Sequence, residues 1–70
     1  MTGRIDLSDE RQRKMFLDAL ETCWSHKDEL NDAEYKFCSD MKDSWKLVGH
    51  EFQPTVKQFN WLRQIAIDVS

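Results

Sequence analysis

The sequence predicts an all-α fold, a compact three-helix bundle with helices over approximately 9–26, 32–48 and 55–68. Three observations carry this expectation. Apolar side chains recur at spacings of three and four in three stretches. The segments "HKDELND" and "VGHEFQPT" between them concentrate helix-ending and helix-starting residues. Asn31 with Glu34, and Thr55 with Gln58, form capping-box pairs. With 70 residues and no internal repeat or linker rich in Pro, Gly or Ser, the chain reads as one domain, 1–70. A chain of this length buries only about 60% of its unfolded surface. Its three tryptophans and four phenylalanines therefore matter, because each buried aromatic removes about 150–250 Å² from water.

The first helix has Ser8 as its expected cap, with Asp9 and Glu10 favourably placed against the N-terminal dipole. Phe16, Leu20, Cys23 and Trp24 form its apolar stripe, with Leu17 beside it. The second helix is capped by Asn31, with Leu30 and Tyr35 at hydrophobic-staple positions. Its stripe is Phe37, Cys38, Met41, Trp45 and Val48, and Gly49 suits the left-handed residue after its end. In the third, Pro54 discourages helix at Gln53, Thr55 caps, and the helix starts near Val56. Phe59, Leu62, Ile65, Ala66 and Val69 make its stripe. Trp24, Phe37, Met41, Trp45, Phe59, Leu62 and Ile65 are expected to meet in one core.

The third helix carries more apolar side chains than one buried face uses. Val56 and Ile67 lie nearly opposite the stripe at 3.6 residues per turn, and Trp61 lies at its edge. Either Phe52, Ile5 or Leu7 folds over that side, or a partner protein or second copy covers it. On the second reading Val56, Trp61 and Ile67 are the contact, and Arg63 and Gln64 form its polar rim.

Ten Lys plus Arg against thirteen Asp plus Glu give a formal net charge of −3, the wrong sign for a protein whose main work is neutralising phosphates. The acidic middle of the chain reads as a solvated surface, or as a face that imitates nucleic acid or docks a basic partner. Nucleic-acid association is the alternative function, and its candidate residues are Arg4, Arg11, Arg13, Lys14 and Lys57. The six-residue turn "GHEFQP" is longer than that of a usual helix-turn-helix.

Chemical motifs are scarce. There is no Gly-rich phosphate loop and no nucleophile elbow. Cys23 and Cys38 fall on core stripes and read as structural thiols, with zinc (adding His26 and His50) or a Cys23–Cys38 disulfide as the alternatives. The expectation is a non-enzymatic protein with no cofactor, no metal and no small-molecule substrate. No apolar run approaches the ~20 residues that span a bilayer, and the N-terminal stretch lacks a signal-peptide core, so a cytoplasmic location is expected.

"LNDAEYKFCSDM", a glycine-containing turn and then "FQPTVKQFNWLRQI" resemble a pattern in small helical proteins of bacteriophages, plasmids and other mobile elements. Glu34 and Phe37 open one helix of that pattern, and Lys57, Gln58, Trp61 and Leu62 open the next. The resemblance covers the C-terminal forty or so residues. It implies an accessory role in a host cytoplasm: modulating a replication complex, or blocking a host defence enzyme. Binding and modulating another protein is therefore the expected function.

Overall fold

Asp9, rather than the expected Ser8, caps the first helix of the computed structural model, which describes residues 3–70. The Asp9 carboxylate accepts from the backbone N–H of Arg11 at 2.9 Å and of Gln12 at 3.5 Å. The Ser8 hydroxyl and N–H both donate to Asp6 instead. Committed to that turn, Ser8 leaves the cap to its neighbour, and α1 spans Glu10–Ser25, one residue inside the expected 9–26 at each end. A single 3₁₀ turn, Lys27–Glu29, follows.

The second and third helices start where their boxes place them. Asn31 Oδ1 accepts from Glu34 N at 2.8 Å and Glu34 returns a bond from Asn31 N at 3.1 Å, opening α2, Asp32–Val48. Thr55 and Gln58 repeat the exchange at 3.0 and 2.9 Å, opening α3, Val56–Val69. That helix is displaced by one residue from the expected 55–68. Between α2 and α3 the chain turns through Gly49, whose φ of 60° is the positive value expected there. Its ψ of −137° lies outside the left-handed helical region, in a conformation that is open to glycine and costly for any side chain.

An N-terminal segment closes the fold in a way the periodicity could not foresee. Ile5 N donates to Pro54 O at 2.8 Å and Val56 N donates to Gly3 O at 3.2 Å, with Arg4 and Thr55 forming an antiparallel bridge. The pairing draws Ile5 and Leu7 into the core, and Leu7 is fully buried. Phe16, Leu20 and Cys23 of α1 meet Cys38 and Met41 of α2 and Phe59, Leu62, Ile65 and Ala66 of α3 there. Phe37, Trp45 and Phe52 pack against this cluster from its edge, each half-buried.

Three expectations of the core are corrected. Trp24 lies outside it: at about 100° per residue its side chain sits some 80° round α1 from Phe16, where its ring meets Tyr35 with centroids 5.5 Å apart. Leu30 packs on the core while Tyr35 faces Trp24, so the two staple residues serve different neighbours. Val48 ends α2 immediately before the Gly49 turn and stays 46% exposed.

Candidate protein-binding surface

Of the three surplus apolar residues of α3, two have a neighbour within the chain and one stands open. Val56 sits beside the N-terminal segment, so close that a Cβ added to Gly3 would stand 2.7 Å from Val56 Cγ2. Trp61 stacks on Phe37 of α2, with ring centroids 4.2 Å apart. Ile67 has neither cover and is 61% exposed. Of the two explanations left open by the sequence, chain self-coverage thus accounts for part of Val56 and one face of Trp61.

Ile67 forms one wall of a groove of about 320 Å³ between α1 and α3. Met15 is its apolar counterpart on α1, Ala19 and Ala66 make the floor, and Asp18, Thr22, Arg63 and Ser70 supply the polar edge. The two helices approach closely because small groups lie between them; deeper in the interface, the Cys23 thiol reaches the Leu62 carbonyl at 3.5 Å. Arg63 is held with its guanidinium 5.8 Å from the Phe59 ring centroid, an arrangement that fixes a cation at the groove's edge. Gln64 is exposed and donates to Asp68 Oδ1 at 3.1 Å along its own helix. Of the residues proposed from sequence, Ile67 and Arg63 share the groove, whereas Val56, Trp61 and Gln64 do not line it.

Met15 and Asp18 belong to the surface and were missed. Each lies off the Phe16, Leu20 and Cys23 stripe, which is a detectable signal, but their relation to Ile67 depends on α1 and α3 being neighbours. Leu47 was missed as well and, among the described residues, is the most exposed large apolar side chain, at 85%.

The alternative basic set is dispersed. Arg4 donates from its guanidinium to Gln53 O at 2.9 Å, and Arg13 to Leu7 O at 3.4 Å; both guanidiniums tie the N-terminal segment to the body. Arg11 and Lys14 share a shallow depression with Asp9 and Glu10, whose carboxylates oppose phosphate. Lys57 is exposed in the first turn of α3.

Cys23 and Cys38 are free and buried. The Cys38 thiol beside it, and then burial, push the Cys23 thiol well above its ordinary range, so it stays protonated and poorly nucleophilic. His26 Nδ1 lies 2.9 Å from Thr22 O, within its own helix end. Among the described residues no group of three or more His, Cys, Asp or Glu side chains could hold a metal ion, and no helix is long and apolar enough to cross a membrane. Comparison with protein-family models, curated proteins and solved structures finds no match.

Proposed function

We propose that the chain is a non-enzymatic interaction module that binds another protein through the groove between α1 and α3. The exposure of Ile67 beside Met15 carries the reading: two apolar side chains from different helices flank a groove, and charged groups of both signs stand at its edge. This is the arrangement of an interface centre with a polar rim. Covering the exposed part of Ile67 would contribute about 1–2 kcal/mol. The mobile-element resemblance extends the proposal to an accessory protein that modulates or inhibits a host or phage protein, including a defence enzyme.

Capture from host lysate with the tagged chain, with and without nuclease, tests the function class. Recovery of a protein that survives nuclease supports the module. Recovery that disappears with nuclease supports the nucleic-acid alternative and rejects this reading. Sedimentation of the purified chain identifies the case in which the bound protein is a second copy.

A further inference from the structure

Cys23 of α1 and Cys38 of α2 meet across the contact between their helices. Tyr35, Cys38 and Lys42 follow one another along a single strip of α2 at spacings of three and four. The outer two both reach Trp24, the residue after Cys23: the Tyr35 ring centroid lies 5.5 Å from that of Trp24, and Lys42 Nζ lies 5.0 Å from it. The middle of the strip is therefore held against the Cys23 turn of α1, and both cysteines are wholly buried members of the one core cluster. The sequence contains no other cysteine. We propose that the pair is an oxidisable dithiol, closing to an intrachain disulfide that staples α1 to α2 and opening again on reduction.

The surroundings give the two sulfurs different parts. The single Cys23 proton has two acceptors in reach, the Leu62 carbonyl at 3.5 Å and the Cys38 sulfur. Donation to Cys38, opposed by burial and by the Glu34 carboxylate, holds the Cys38 thiol below its ordinary range while Cys23 keeps its proton. Cys38 is thus the attacking sulfur and Cys23 the resolving one. A peroxide is the oxidant. The Cys38 sulfur attacks one oxygen of hydrogen peroxide, the O–O bond breaks, the departing hydroxide leaves as water with the Cys38 proton, and Cys38 becomes a sulfenic acid. The Cys23 sulfur then attacks the Cys38 sulfur, the S–O bond breaks, and the hydroxyl leaves with the Cys23 proton as a second water. The two thiols lose two electrons and the peroxide gains them. Because α1 packs chiefly against α3, α2 is the helix whose partial separation admits an oxidant little larger than water; a bulkier alkylating reagent needs the helices further apart.

The full chain is exposed to hydrogen peroxide in native buffer and read by intact mass, non-reducing peptide mapping and melting temperature. The expected product is a monomer about 2 Da lighter, with the Cys23 and Cys38 peptides linked. It should keep its helical circular dichroism and melt about 10 °C or more higher, and dithiothreitol should reverse every change. Cys23→Ala, which removes the resolving sulfur, should accumulate a sulfenic acid at Cys38 that a dimedone probe traps, and Cys38→Ala should oxidise about tenfold more slowly than wild type. Circular dichroism checks that each variant is folded, and the wild-type product decides the matter if one is not. The inference is overturned if the native chain keeps both thiols until denaturant is added, if the product is a dimer linked between chains or a sulfinic acid with no internal bond, or if the internal bond forms only with loss of helix or a lower melting temperature.

Discussion

Phe37 of α2 and Trp61 of α3 stack with ring centroids 4.2 Å apart and planes tilted by 31°. The pair lies outside the buried cluster and joins two helices along its edge. Trp61 is 42% exposed, so one face serves the fold and the other meets water. Aromatic pairs in such geometry are worth about 0.5–1.5 kcal/mol beyond the area they bury. Trp61→Ala should lower stability by about 1–2 kcal/mol, read by chemical denaturation. A change near zero would show that the stacking contributes nothing to the fold.

Leu7 anchors the N-terminal segment. Fully buried, and held by the Ile5–Pro54 and Val56–Gly3 hydrogen bonds nearby, it should respond to truncation as a core residue does. Leu7→Ala should cost about 2–5 kcal/mol, a large part of the stability of so small a domain. A melting temperature within a degree or two of wild type would mean that the segment is not docked in solution.

Gly49 isolates a backbone effect. A Cβ placed there meets nothing within 4 Å, and its φ is +60°, so any penalty is conformational. Gly49→Ala should destabilise by about 1–3 kcal/mol, whereas an ordinary turn position would tolerate alanine or gain from it.

The thiols provide a test of accessibility and metal dependence together. Cys23 and Cys38 are both wholly buried, and Cys23 resists ionisation. Neither should react with an alkylating reagent at pH 8 until the chain unfolds, and both should react once it does. Chelator treatment should leave the helical circular dichroism unchanged, because structural zinc would contribute on the order of 10 kcal/mol to folding. Rapid alkylation of the native chain, or loss of helix with EDTA, would contradict this assignment.

What could be read from the sequence follows from the range of the interactions. Both capping boxes appear where expected because each depends on residue types three positions apart. The first cap moved by one residue because Ser8 had a competing acceptor in Asp6, a choice that residue preference alone does not settle. The docking of Ile5 and Leu7 was one of several possibilities, since it rests on pairing between segments about fifty positions apart, as for Arg4 and Gln53. Period likewise gives the angle of Trp24 or Trp61 on its helix without saying which neighbour fills that side. Ile67 was legible as an apolar residue off the stripe, but Met15 and Asp18 join it only through the packing of α1 on α3.

The proposal that this groove binds a protein stands or falls on Ile67. The decisive measurement pairs the melting temperature of Ile67→Glu with its affinity for the captured partner, or for itself if the chain dimerises. Because Ile67 is 61% exposed, the variant should melt within a few degrees of wild type. Because a charge would be desolvated only in the complex, binding should weaken by about 2 kcal/mol or more, close to thirtyfold. A strongly destabilised monomer would show that Ile67 belongs to the fold, and unchanged affinity with normal melting would remove the groove as the binding surface.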